Sequence, residues 1–188
     1  RSLPGMTLIV PSDATQTAAF VPLMAKKDGP ITMRISRGAS IPVHKEGEAL
    51  EIGKAIARRK GRDVGLIACG SIVGRCMAAA EILAKEGIEA AVLEIHTIKP
   101  IDEDSIYRVA AETGAIVTAE EHSILGGLGG AVAEVLAEKC PTPMVRIGIS
   151  DTFARTALDT DSLMDAYGLS IDRIASVAIG VLKKKEKR

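Results

Sequence analysis

Val64-Gly65-Leu66-Ile67-Ala68-Cys69-Gly70-Ser71 is the stretch that decides the fold. Six residues without a polar break, closed by Gly-Ser, read as a strand buried on both faces, which is the habit of parallel sheets rather than of half-exposed antiparallel ones. A helix of Ala, Met, Ile and Leu is predicted next, to about Glu86, where Gly87 stops it. The same unit recurs downstream. Ala90 to Ile95 is a strand and Asp102 to Thr113 a helix ending at Gly114. Ala115 to Thr118 is a strand and Gly129 to Lys139 a helix, then Met144 to Ile149 a strand, and Leu163 to Tyr167 and Ser170 to Lys183 are helices. Regular alternation with short connections predicts an α/β fold, a mostly parallel sheet covered by helices on both faces in three layers, α/β/α. The terminal Lys183 to Arg188 reads as a frayed, solvated helix end whose cations suit the helix dipole.

Upstream, Ala39 to Gly61 changes character. Pro42, His44, Lys45, Glu46, Gly47 and Glu48 suit an exposed linker, in which His44 is expected to be solvated. Glu51 to Lys60 is ambiguous between strand and helix by periodicity. The first forty residues read as strand, helix, strand: Thr7 to Val10, then about Ala14 to Lys27, then Ile31 to Ile35. Asp13 with Gln16 has capping-box spacing. Pro22 removes a helical hydrogen bond to Ala18, so a kink or a shortened first segment is expected there. The predicted organisation is a partial α/β unit at 1–38, a linker at 39–61 and the main domain at 62–188.

Composition narrows the function. At 188 residues and 47% hydrophobic, the chain can close one full core and a small second unit. Lys plus Arg equals Asp plus Glu at 24 each, so no global field favours nucleic acid or an anionic membrane. Phe20, Tyr107, Phe153 and Tyr167 are the aromatic residues, too few for a base-stacking platform. Cys69, Cys76 and Cys140 lack metal or redox spacing and read as free thiols in a reducing compartment. No leader is read at Arg1 and no apolar run is long enough to span a bilayer, so the expectation is a soluble, cytoplasmic protein.

Two constellations carry chemistry. Arg37 follows the Ile31 to Ile35 strand through Ser36 and is trailed by Gly38, at the carboxyl end of a parallel-type strand, where α/β sheets keep their ligands. Its guanidinium can hold a phosphate bidentately or pair with a carboxylate across the domain junction; position alone leaves both open. By strand alternation Arg34 faces away from Arg37 and is assigned no role. The second constellation is Glu120-Glu121-His122 followed by Gly126-Gly127-Leu128-Gly129-Gly130. It could form an acid/base pair or an anion cradle at a helix start, or only permit close helix packing. As a dinucleotide motif it fails, because Val132 stands where the third glycine belongs.

Read together, Arg1-Ser2-Leu3-Pro4-Gly5, Pro11-Ser12-Asp13, Gly29 to Arg37, His96 to Asp102, Glu120-Glu121-His122 and the glycine run resemble, in that order, the C-terminal part of transketolase. The resemblance covers Arg1 to about Leu182. It implies the end of a pyrimidine-binding domain followed by a C-terminal domain, and it favours a strand within Glu51 to Lys60. It implies transfer of two-carbon ketol units between phosphorylated sugars in the pentose phosphate pathway, with thiamine diphosphate and Mg2+ as cofactors of the full enzyme. Ser36 and Arg37 match the pair that holds the sugar phosphate. Arg1 stands where the related deoxyxylulose-phosphate synthase carries an arginine near that phosphate. Glu121 and His122 fall in a domain that serves dimer contact, which makes them interface or anion candidates, and His96 is not read as catalytic. The glutamate that activates the cofactor lies upstream of the block matching Arg1, and the diphosphate and its metal belong to another domain. The expectation is therefore a chain inactive alone, binding no cofactor alone, that pairs with a diphosphate-binding N-terminal chain or domain and forms a homodimer. Deoxyxylulose-phosphate synthase, a 2-oxo-acid dehydrogenase β subunit and a non-catalytic assembly module stand as alternatives.

Overall fold

A computed structural model describes residues 1–153, 155 and 159–185. It contains two sheets. The larger has five strands: β3 (Ile56–Arg59), β4 (Val64–Cys69), β5 (Ala90–Glu94), β7 (Ile116–Ser123) and β8 (Met144–Ile149), in the order β3-β5-β4-β7-β8. β4 pairs in parallel with both β5 and β7, and β7 with β8, while β3 runs antiparallel to β5 on the edge. Every residue of β4 and β5 is buried, the reason both read as unbroken apolar runs.

Alternate side chains of the strands serve two different layers. Val64, Leu66 and Ala68 pack with α2 (Ile72–Lys85) and α6 (Ile171–Lys185), through Ile72, Cys76, Leu83, Ile174 and Val181. Ile67 and Cys69 face the other way, onto α3 (Glu103–Thr113) and α4 (Leu128–Lys139), with Ile106, Leu128, Val132 and Leu136. The predicted three-layer α/β/α domain is thus present. Gly114 ends α3 at φ 64°, a left-handed cap that donates to Ala110 O, as its place after the helix predicts. The short helix α5 (Thr160–Ala166) follows β8 and buries Met164 in the α2/α6 layer.

The smaller sheet has the order β2-β1-β6. β1 (Thr7–Ile9) and β2 (Ile31–Met33) are parallel and joined by α1 (Ala14–Ala25). α1 continues through Pro22, whose missing donor falls in the last turns and leaves the helix only slightly shorter than expected. β6 (Thr97–Lys99) was not foreseen: it pairs antiparallel with β1, so a strand of the main domain completes the sheet of the N-terminal unit. Val10 N to His96 O and Gly70 N to Val10 O, at 2.8 and 3.2 Å, continue the join.

Four expectations need correction. The exposed character expected of 39–61 fails at Val43, which packs on the α2/α6 core, while β3 lies where the resemblance favoured a strand, within Glu51 to Lys60. His44 is buried rather than solvated, because its backbone N–H and that of Val43 both donate to Asp13 Oδ2 at 2.8 Å, pulling the segment onto the start of α1. β2 ends at Met33 instead of Ile35; Ile35 is exposed, and the chain swings Arg34 toward the end of β7. β7 in turn runs past Thr118 to Ser123, since its polar end finds partners for both carboxylates. Of the lysine-rich terminus, Lys183 to Lys185 belong to α6 and 186–188 lie outside the described residues.

Candidate functional site

The carboxyl ends of β1, β4 and β7 converge on one side of the molecule, at the point where the chain leaves β4 for β5 on one side and β7 on the other, the position at which open α/β sheets bind ligands. Two grooves open there. One, of about 510 Å³, runs between the start of α1 and the segment after β2, with Ser12, Asp13, Ala18, Ile35, Ser36 and Gly38 in its wall. The other, about 200 Å³, is lined by Arg1, Arg34, Cys69, Glu120, Glu121 and His122.

Asp13 shapes the first groove. Its Oδ1 accepts from Gln16 N at 2.9 Å and caps α1, while Oδ2 holds the Val43 and His44 amides. Burial acts to raise this carboxyl, but the three amides outweigh it and hold it below the ordinary aspartate range. Ser36 is half-buried and donates from Oγ to Glu121 Oε1 at 3.3 Å. Arg37 is exposed beside the groove and, among the described residues, pairs with no carboxylate.

The second groove is ringed by groups already engaged. Arg1 sets its guanidinium bidentately on Glu134 at 2.6 and 2.7 Å and donates from Nε to Gly126 O, which holds Glu134 below the usual carboxylate value. Arg34, given no role by strand alternation, reaches Glu121 O from Nη2 at 2.5 Å; the alternation argument failed because the strand had already ended. Glu121 Oε2 accepts from Ser71 Oγ at 2.5 Å, so this one carboxylate ties the start of α2 to Ser36.

The anion cradle at the start of α4 exists, and the chain fills it itself. Glu120, almost fully buried, accepts from Leu128 N and Gly129 N at 2.7 and 2.8 Å. Gly127 makes room: a Cβ there would overlap the Glu120 carboxylate. Burial pushes Glu120 above its ordinary value against the pull of the two amides. His122 is exposed, with Nδ1 donating to Ser123 O at 2.8 Å and lying 3.9 Å from Glu120, beyond hydrogen-bond distance.

The structure thus places Ser36 in the wall of one groove, with Arg37 exposed next to it in the chain, and Arg1, Glu121 and His122 at the other groove, with Glu121 as the link. Behind both lies a buried polar network that sequence reasoning missed. Glu94 accepts from Arg58 Nε at 2.5 Å and Gln16 Nε2 at 2.8 Å, and Arg58 also meets Glu48 and His44. His96 is buried against Phe20, ring centroids 4.9 Å apart, and burial, followed by the nearby Arg58 and His44, lowers its imidazole to about 4.

Comparison with known proteins places the chain in the transketolase family. The profile described as "Transketolase, C-terminal domain" matches residues 53–174. A 6-deoxy-6-sulfo-D-fructose transketolase subunit from a Clostridium species is 42% identical over all of this chain and 58% of its own length. A putative transketolase C-terminal section from Methanocaldococcus jannaschii is 40% identical over 98% of this chain and 58% of its own length. A solved structure described as "Split gene transketolase, inactive beta4 tetramer" superposes with a TM-score of 0.94 at 38% identity, over 98% of this chain and 60% of that one. The chain therefore spans somewhat more than half the length of these relatives.

Proposed function

This chain belongs to the transketolase family, and from that premise we propose that it is the C-terminal section of a thiamine-diphosphate-dependent transketolase transferring two-carbon ketol units between phosphorylated sugars. The observation that carries the reading at the site is the exposed Arg37, paired with no carboxylate among the described residues and flanked in the chain by Ser36 and Gly38, both of which line the larger groove. A guanidinium so exposed can take two oxygens of a tetrahedral oxyanion, and each charge-assisted hydrogen bond contributes about 1.5–3 kcal/mol. A relative named for a sulfonated fructose suggests including a sulfonate beside the phosphates, since both offer the same oxygens. Arg1, committed to Glu134, can stand near the substrate only as part of that pair.

Thiamine diphosphate, when bound, supplies the carbanion that accepts and releases the ketol unit. Among the described residues no three His, Cys, Asp or Glu side chains gather as metal ligands. No step is assigned to the cofactor on this chain. Its diphosphate and Mg2+ are assigned to an N-terminal partner chain or domain, and the assembly is read as a homodimer of such pairs, with the carboxyl-end face turned to the partner. Free, buried Cys69 and Cys76 support a reducing, cytoplasmic setting. Among the described residues no helix is long and apolar enough to cross a membrane.

The test is reconstitution: the whole subunit to which this sequence belongs, including the upstream segment in which the resemblance places the activating glutamate, a diphosphate-binding partner from the same source, thiamine diphosphate and Mg2+, assayed for ketol transfer with phosphorylated and sulfonated donors. Transfer that requires both chains supports the proposal. Formation of a stable complex with no transfer on any donor favours a non-catalytic assembly module.

A further inference from the structure

The segment that carries Arg37 is gripped on both sides of that residue by the main domain, and one grip comes from an element remote in sequence. Gly38 does not have positive φ, so its backbone would accept any side chain. Space is what forbids one. A Cβ built on Gly38 would overlap the Thr160 hydroxyl and stand 2.7 Å from Thr160 Cβ and Cγ2. Thr160 opens α5, and α5 is itself clasped to α2: buried Arg75 donates to Asp161 and Asp165 at 2.6 Å each and to Leu169 O at 3.2 Å. Farther along, Ile41 lies against α2 so closely that a Cβ on Gly74 would come 2.5 Å from Ile41 Cβ. At the other side of Arg37, Ser36 is tied to Glu121, and the segment ends on Asp13 through the Val43 and His44 amides.

We propose that α5 is the seat of the Arg37 segment, with Thr160 as a positioning residue that acts through Gly38 and Arg75 as the clasp that keeps Thr160 in place. Arg37 projects from a backbone held one residue away on each side, which fixes the origin of the guanidinium and leaves its tip free for an oxyanion. This rests on Arg37 being the sugar-oxyanion ligand, and it gives the C-terminal domain a share in substrate specificity through a contact 122 residues distant in sequence, from Gly38 to Thr160.

The experiment has two arms. In the full chain, hydrogen exchange is followed at the Val43 and His44 amides in wild type, Gly38→Ala and Gly38→Ala/Thr160→Gly. Gly38→Ala is expected to speed exchange about tenfold, and the double variant to restore it, because glycine at position 160 vacates the space that the new methyl needs. In the reconstituted enzyme, Gly38→Ala is expected to raise KM for a phosphorylated donor about tenfold while leaving its kcat, and both constants for an unphosphorylated analogue, unchanged; Thr160→Gly should again reverse it. Unchanged exchange in Gly38→Ala, failure of Thr160→Gly to reverse either effect, or equal KM changes on both donors overturns the proposal. Should Gly38→Ala fail to fold, Thr160→Gly alone empties the seat and must itself speed exchange, and wild-type exchange there equally overturns it. If exchange behaves as expected while Arg37→Ala leaves KM for the phosphorylated donor unchanged, the seat stands and the reading of Arg37 as oxyanion ligand is the part that fails.

Discussion

Replacing Arg58 by methionine strands a buried charge at the junction of the two sheets. Glu94 has no solvent exposure, and its carboxylate rests on two donors, Arg58 Nε at 2.5 Å and Gln16 Nε2 at 2.8 Å. Burial alone would lower the Arg58 pKa, but Glu48 and Glu94 outweigh it, a sign that the pairs dominate their own desolvation. Removing one member of a buried pair costs about 3–5 kcal/mol, because the survivor keeps its charge without compensation. The Glu48 side adds little, since that carboxylate is partly exposed and such pairs contribute about 0–1 kcal/mol. Arg58→Met should therefore lose about 3–5 kcal/mol in urea unfolding followed by circular dichroism. The double variant Arg58→Met/Glu94→Met removes the stranded charge and leaves only the Gln16 amide unpartnered, a cost of about 1–3 kcal/mol, so it should be more stable than the single variant. A loss below about 1 kcal/mol for Arg58→Met, or a double variant no better than the single one, would refute the reasoning, because the carboxylate would then behave as a solvated surface group.

Three further perturbations probe the same frame. The His96 imidazole sits at about 4 when folded against 6.5 when free, so the unfolded chain takes up a proton that the folded one refuses; stability should be level above pH 6.5 and fall toward pH 4, and urea midpoints of His96→Gln should lose that slope. An unchanged slope in the variant would point to another group. Asp13→Ala removes a helix cap and strands two amides, for a combined loss of about 2–4 kcal/mol by urea unfolding. Because the Asp13 carboxyl is depressed below its free value of 3.8, its contribution is present above that pH and lost as pH falls through the folded value, so Asp13→Asn should show a flatter acid limb. Gly127→Ala drives a methyl into the Glu120 carboxylate and should cost about 1–3 kcal/mol in thermal or urea unfolding, with no penalty from backbone conformation because φ there is −90°.

What the sequence made legible follows from range. The β4 and β5 runs and the cap at Gly114 are local signals, buried on both faces or set by one dihedral, and both were read correctly. β6 was invisible because it is three residues long and its partner β1 lies about ninety residues earlier in the chain. The burial of His44 depends on the Asp13 carboxylate thirty-one residues away, and no local composition announces that. β7 was cut short at Thr118 because its apolar run ends there; what prolongs it is the supply of α4 amides and the hydroxyls of Ser71 and Ser36 to Glu120 and Glu121. Arg34 was set aside by a period-two argument applied one residue past the end of β2. The glycine run reads first as room for close helix packing and second as an anion cradle; Gly127 and Gly129 do sit where a Cβ would collide, and the α4 amides are taken from within by Glu120.

The measurement that bears most directly on the central claim is the KM of the reconstituted enzyme, wild type and Arg37→Ala, for an anionic donor and for its uncharged analogue. Loss of one or two charge-assisted hydrogen bonds, each about 1.5–3 kcal/mol, predicts that KM for the phosphorylated or sulfonated donor rises about tenfold to a hundredfold or more, with KM for the uncharged analogue nearly unchanged. Equal changes for both donors, or none for either, would contradict the assignment of Arg37 as the oxyanion ligand.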